Sequence, residues 1–166
     1  MFTIVKAALF AQFLINYAHC LCPNGYLKHD QSCYKIIRTL ATWAEATIYC
    51  RAMGSELANL ETVVEDHFVH GMIENLGGSY DPPKFWLGGN DIVTEGEWMW
   101  AKTHTKFTYT NWGPSQPDNS HKGLGENCLE LSKNQAWNWN DDYCEHRIYF
   151  ICERPSEEVD SGEIVG

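Results

Sequence analysis

Residues 116–141 read QPDNSHKGLGENCLELSKNQAWNWND, and the oxygen donors spaced along this stretch decide how the rest of the chain is read. It opens with Gln116-Pro117-Asp118, passes through Glu126-Asn127-Cys128, and closes with Trp139-Asn140-Asp141 ahead of Cys144. Gln116, Asp118, Glu126, Asn140 and Asp141 all offer oxygen, three of them as carboxylates. An oxygen-only set suits a hard cation, and calcium takes about 6–8 such ligands in flexible geometry. The Gln-Pro-Asp turn is also a place where a cis peptide bond would aim both flanking side chains at one ion. These five residues are therefore expected to be metal ligands for calcium. Between them, from Gly113 to Gly125, regularity gives way to prolines, glycines and polar residues. A loop this long inside a compact domain is functional or disordered, and the donors at its two ends favour function.

Outward from this stretch, the chain of 166 residues is the size of one domain with appendages. Its seven tryptophans suit a compact core, and a formal charge of −10 excludes a phosphate-binding surface built on clustered Lys and Arg, so no nucleic-acid partner is expected. Near the N-terminus, Lys6 precedes the apolar run Ala7–Ile15, too short and too early for a membrane span, and Ala18 and Cys20 fit a small-residue cleavage pattern. Residues 1–20 are expected to be a signal peptide. The cut then leaves six of the seven cysteines, an even set that implies a disulfide framework in a secreted, extracellular chain. A cut after Ala18 instead leaves Cys20 free or available for an intermolecular bridge. Six cysteines allow fifteen pairings on arithmetic alone. Residues 21–154 form the expected domain. Residues 155–166, with four acids and no base, are expected to be a disordered acidic tail.

Inside the domain, Cys22-Pro23-Asn24-Gly25 and Ser32–Ile37 predict a hairpin. Thr42 with Glu45, and Thr62 with Glu65, are capping boxes that start two helices. The first is expected to bury Trp43, Ala46, Ile48 or Tyr49, and Cys50. The second is expected to bury Val64, Phe68, Met72 or Ile73, and Leu76 before Gly77-Gly78 stops it. Strands are expected at Phe85–Gly89, Trp98–Trp100, Cys128–Leu131 and Tyr149–Cys152.

Trp43-Ala44-Glu45-Ala46, Trp86-Leu87-Gly88, Asn111-Trp112, Gln116-Pro117-Asp118, Glu126-Asn127-Cys128, Trp139-Asn140-Asp141 and Phe150-Ile151-Cys152, in this order, resemble the C-type lectin-like domains. The form is that of invertebrate, particularly molluscan, lectins of the perlucin type. The resemblance covers roughly Cys22 to Glu153. It implies an α+β C-type lectin fold, with two helices, small antiparallel sheets, a long calcium- and sugar-binding loop region and three disulfides. The pairing it implies is Cys22 with Cys33, Cys50 with Cys152, and Cys128 with Cys144. It further implies sugar binding by Gln116, Asp118, Glu126 and Asn140, with Gln-Pro-Asp accompanying galactose-type rather than mannose-type recognition. Selective galactose binders of the family place a Trp two residues after that Asp; this chain has Ser120, and His121 is the candidate replacement platform. Asp91 and Glu95 match an auxiliary calcium site. Asn119 and Asn127 stand where strongly chelating relatives carry aspartates, so an occupied and an empty second site both remain open.

The expected function is calcium-dependent binding of glycans ending in galactose or N-acetylgalactosamine, including microbial surface glycans in innate defence. Weak single-site affinity implies a homo-oligomer or clustered ligands. No nucleophile or zinc-hydrolase pattern of the G-x-S-x-G or H-E-x-x-H kind is present, so a binding protein rather than an enzyme is expected. The competing expectation is an extracellular matrix or biomineralisation protein that binds mineral or protein on the same fold.

Overall fold

The computed structural model describes residues 19–75, 80–120 and 123–159. In chain order its elements are β1 (His19–Leu21), β2 (Leu27–His29), β3 (Ser32–Ala41), α1 (Trp43–Ala52), β4 (Glu56–Leu57), α2 (Val63–Asn75) and β5 (Lys84–Asn90). Then follow β6 (Met99–Trp100), β7 (Cys128–Ser132), β8 (Trp139–Asp142), β9 (Ile148–Pro155) and β10 (Glu157–Val159). One sheet runs β2-β3-β9-β5-β7-β8, with β4 added on β9 and β6 on β5. Its pairs are antiparallel except β5 with β9, which run parallel. Position in that order explains the strand sequences: β5 is flanked on both sides and buries five consecutive residues, Phe85 to Gly89, rather than alternating. At Gly88 a Cβ would stand 2.5 Å from Oδ1 of Asn59 and 2.9 Å from the carbonyl of Leu57, so only glycine lets β5 pass this close to that segment.

The first capping box forms in full; the second forms only its Thr62 half, the Glu65 carboxylate accepting instead from the Glu61 amide at 3.0 Å and the Thr62 hydroxyl at 3.0 Å. Thr42 Oγ1 accepts from the Glu45 amide at 3.3 Å while Glu45 Oε2 accepts from the Thr42 amide at 3.0 Å. Thr62 Oγ1 accepts from the Glu65 amide at 3.2 Å. The expected apolar faces hold in part: Ala46, Cys50, Met72 and Ile73 are buried as expected, while other positions differ. In α1 the buried residues are Ala46 and Cys50, whereas Ile48 is 68% exposed and Tyr49 42%. The bridge from Cys50 to Cys152 fixes which side of α1 faces the sheet. In α2 the buried residues are Asp66, Val69, Met72 and Ile73; Val64 is exposed and Phe68 only half-buried. The cause is Asp66, fully buried because its carboxylate accepts from the Trp139 indole at 2.7 Å and from Asn111 Nδ2 at 2.8 Å. A pattern that counts only apolar residues places that carboxylate outside. Leu76 and Gly77-Gly78 lie outside the described residues.

The disulfides pair as the resemblance implies: Cys22–Cys33, Cys50–Cys152 and Cys128–Cys144. The main core gathers Tyr34, Phe85, Leu87, Trp100, Trp139 and Ile151 among others, and burial of each large apolar side chain stabilises by roughly 1.5–3 kcal/mol. Beyond the domain, β10 pairs antiparallel with β1, His19 opposite Val159 and Leu21 opposite Glu157. The start of the tail, expected to be disordered, is thus extended and backbone-paired over Glu157–Val159; 160–166 lie outside the described residues. Among the described residues no helix is long and apolar enough to cross a membrane.

Candidate metal centre

The loop between β6 and β7 is anchored at its base. Gly113 N–H donates to the Trp139 carbonyl and Trp139 N–H to the Asn111 carbonyl, both at 2.8 Å. Trp112 and Trp139 meet edge to face with centroids 5.7 Å apart. From this base the chain turns through a cis Gln116-Pro117 bond, and Asn119, at φ 47°, takes the left-handed conformation that asparagine tolerates. The turn delivers Asp118 to Asp141 on β8 and to Glu126 on the returning limb. One carboxylate oxygen from each of the three lies within 4.8 Å of the others.

The cluster is held by backbone donors. The carboxylate of Asp141, 1% exposed, accepts from the amides of Asp118 at 3.1 Å and Asn119 at 2.7 Å. Glu126 Oε2 accepts from the Ser120 amide at 2.8 Å and from its hydroxyl at 3.2 Å, and Asn119 Oδ1 accepts from the Glu126 amide at 2.7 Å. Burial raises the pKa of both Glu126 and Asp141, and neighbouring acids add to it: the charges of Asp141 and Asp142 and a hydrogen bond with Asp118 at Glu126, the charge of Asp118 at Asp141. Gln116 Oε1 is buried without a hydrogen-bond partner. Converging carboxylates, with an orphaned amide oxygen two residues before Asp118 on the same turn, form a donor set that fits a hard dication such as calcium. Asn140, on β8 between Trp139 and Asp141, uses its Nδ2 on Glu130 Oε1 and on the Asp141 carbonyl, which leaves Oδ1 as its remaining ligand atom.

Of the residues expected at a second site, Asp91 is 3% exposed and its Oδ1 has no partner, as has Oδ1 of Asn127. The Asp91 amide donates to the Asn127 carbonyl at 3.2 Å. Burial, then the charges of Glu95 and Asp141, raise the Asp91 carboxyl, while the Gly96 amide, 2.8 Å from Oδ2, acts against them. Asn119 Oδ1 and Asn127 Oδ1 both approach Gly125, within 3.4 and 3.0 Å of where its Cβ would be. Ser120 takes no platform role here and instead braces Glu126. His121 lies outside the described residues.

Reading by sequence alone missed the support behind the site. Glu130 and Asp142, both buried, share the ammonium of Lys84 at 2.9 and 2.8 Å. Burial drives Glu130 well above the ordinary carboxylate range; Lys84 outweighs burial at Asp142 and holds it below. The carboxylate of Glu130 inside the apolar run of β7 was the available signal.

A profile of the family described as Lectin C-type domain matches residues 39–154. The chain belongs to the C-type lectin domain family. Perlucin of Haliotis laevigata is 39% identical over 134 residues, 80% of this chain and 83% of that protein. The galactose-specific lectin nattectin of Thalassophryne nattereri is 34% identical over 131 residues, 79% of each. Among solved structures, the carbohydrate-recognition domain of the human scavenger receptor C-type lectin superposes with a TM-score of 0.72 at 30% identity, covering 81% of this chain and 99% of that one. In this C-type lectin domain the acidic cluster sits where the long loop meets β8. A groove of about 730 Å³ lined by Tyr26, Lys35, Ile37, Arg38 and Tyr49 shares no residue with it. Recognition through an ion needs no deep cavity, because the ion itself supplies the attraction.

Proposed function

We propose that this C-type lectin domain is a secreted, calcium-dependent lectin that prefers glycans ending in galactose or N-acetylgalactosamine. The observation that carries the reading is the convergence of Asp118, Glu126 and Asp141 within 4.8 Å beside the orphaned Gln116 amide oxygen. Gln116, Asp118, Glu126, Asn140 and Asp141 would hold the ion. Calcium supplies open coordination positions for a vicinal diol, an attraction that a lone neutral hydrogen bond, net about 0.5–1.5 kcal/mol, does not match in water. The amide of Gln116 would donate to a sugar hydroxyl and the carboxylates of Asp118 and Glu126 accept from the sugar, while Asn140, whose Nδ2 is held by Glu130 and the Asp141 carbonyl, would meet the sugar through the ion it ligates. The amide-then-acid order of Gln116 and Asp118 supports the galactose preference, and a relative with the printed description of a galactose-specific lectin agrees with it. With Ser120 in place of an aromatic, that preference is expected to be loose, His121 being the remaining stacking candidate.

Asp91, Glu95, Asn119 and Asn127 form the auxiliary calcium site of this reading, weak because two of the four are neutral. The apolar N-terminal run supports residues 1–20 as a secretion signal, 21–154 as the lectin domain and 155–166 as a tail. Glycans on microbial surfaces are the proposed partners in innate defence, with oligomers or clustered ligands supplying avidity. The test is a galactose column run with calcium and then chelator, followed by competitive elution with galactose, N-acetylgalactosamine and mannose. Gln116→Glu with Asp118→Asn is expected to invert the ranking. Retention unaffected by chelator overturns the reading. Retention on calcium mineral that no sugar releases favours the matrix reading instead.

A further inference from the structure

Glu130 stands on β7 directly opposite Asn140 on β8 and is fully buried. Its Oε1 receives two donors, Nδ2 of Asn140 at 3.0 Å and Nζ of Lys84 at 2.9 Å. Lys84, far away in sequence on β5, reaches Oδ2 of Asp142 at 2.8 Å with the same ammonium. Asp142 is fixed in turn, since its Oδ1 accepts from the Tyr143 amide at 2.8 Å and lies 2.8 Å from His146 Nδ1. The clamp therefore joins three strands of the sheet and ends on one amide.

A primary amide has a donor end and an acceptor end, and only the acceptor end can bind a cation. Asn140 is correct for a metal only if Nδ2 points away from it. An Oε1 already held by an ammonium is an acceptor whatever happens at the second oxygen. The reversed amide would set its carbonyl lone pairs against those of Oε1 and lose the hydrogen bond. We propose that Glu130, clamped by Lys84, is a positioning residue that locks the Asn140 amide with its carbonyl oxygen free for calcium. This rests on the calcium reading of the loop. Neither Glu130 nor Lys84 would touch the ion; both act through Asn140.

The test is calcium affinity by titration calorimetry on the full secreted chain, which reads the metal without any sugar. Outer-shell partners of metal ligands typically contribute about 10–100-fold in affinity, and Glu130→Leu is expected to weaken calcium by that amount. Glu130→Gln, whose Oε1 still accepts, is expected to return most of it. The deciding measurement is a double-mutant cycle with Asn140→Ala. In that background Glu130→Leu is expected to have no further effect, because the amide it orients is gone; a merely structural role weakens calcium equally in both backgrounds. If Glu130→Leu does not fold, Lys84→Met at a partly exposed side chain carries the same cycle. Unchanged affinity in the variant, or equal losses with and without Asn140, overturns the proposal while leaving the calcium site standing. A wild-type chain that binds no calcium overturns both.

Discussion

Asp141 holds the loop and faces two other acids at once. Its carboxylate accepts the amides of Asp118 and Asn119, so it shapes the turn, yet it is raised by burial and by the charge of Asp118. Asp141→Asn keeps an acceptor for one of the two amides but removes a charge from the cation site. It is expected to cost more calcium affinity than the roughly 10–100-fold typical of an outer-shell change, with the near-ultraviolet circular dichroism of the core unchanged. Asp66 gives the contrasting case. Asp66→Ala strands the Trp139 indole and the Asn111 amide in the interior, and at about 1–3 kcal/mol for each buried group left unpaired it is expected to destabilise by on the order of 3 kcal/mol, measured by urea unfolding. The five ligand candidates were legible because their order along the chain is itself the signal. Asp66, Lys84 and Glu130 were not, since what makes them matter is a partner 10 to 73 residues away across the fold.

The elements were legible in proportion to how local their causes are. Capping boxes are written within four residues; the one at Thr42 formed in full and the one at Thr62 kept its threonine cap, with Glu65 reaching the Glu61 amide instead. The faces of α1 and α2 depend also on a disulfide and a buried carboxylate reached through tertiary contacts, so the apolar count placed Ala46, Cys50, Met72 and Ile73 but not Asp66 or the exposed Ile48 and Val64. The disulfide is the testable part: Cys50 and Cys152 are 102 residues apart, and closing a loop of that size is worth up to about 4.7 kcal/mol on the chain-entropy account. Replacing both by alanine is expected to cost about 2–5 kcal/mol, read from chemical denaturation. The long loop is the opposite kind of element, held by few hydrogen bonds around three like charges. Calcium at 100 times its Kd is expected to add about 2.7 kcal/mol, seen as a higher Tm and as slower proteolysis within 113–127. Equal cleavage with and without calcium counts against a site in this loop.

At the scale of the whole molecule, acidity and metal are expected to act with opposite signs. In the metal-free fold Asp91, Glu126 and Asp141 are all raised, by burial first and also by neighbouring acids, Glu95 beside Asp91, Asp141 beside Glu126 and Asp118 beside Asp141. The folded chain then binds those protons more tightly than the unfolded one. Their contribution to stability is present at low pH and lost as pH rises through the folded pKa values. Asp142, lowered by Lys84, works the other way, its contribution present at neutral pH and lost in acid. With Glu130 and Glu153 raised as well and only Glu45 and Asp142 lowered, chelated protein is expected to gain thermal stability as pH falls from neutral toward the usual carboxylate range. Calcium-saturated protein is expected to lose stability over the same interval, because protons compete for the ligands. Parallel melting curves check this, and slopes of the same sign in both states exclude it.

The place of β9 in the sheet carries a different consequence. It lies between β3 and β5, also receives β4, and follows every other strand of that sheet in the chain. During synthesis the ribosome has therefore emitted both helices, the hairpin and the whole acidic loop before the strand that joins them exists. Until Ile148–Pro155 emerges, β3 and β5 have open flanks where this partner belongs, and Cys50 waits for Cys152. A nascent chain halted before Ile148 should stay protease-sensitive and bound by chaperones, and one that has cleared Pro155 should snap shut as a unit.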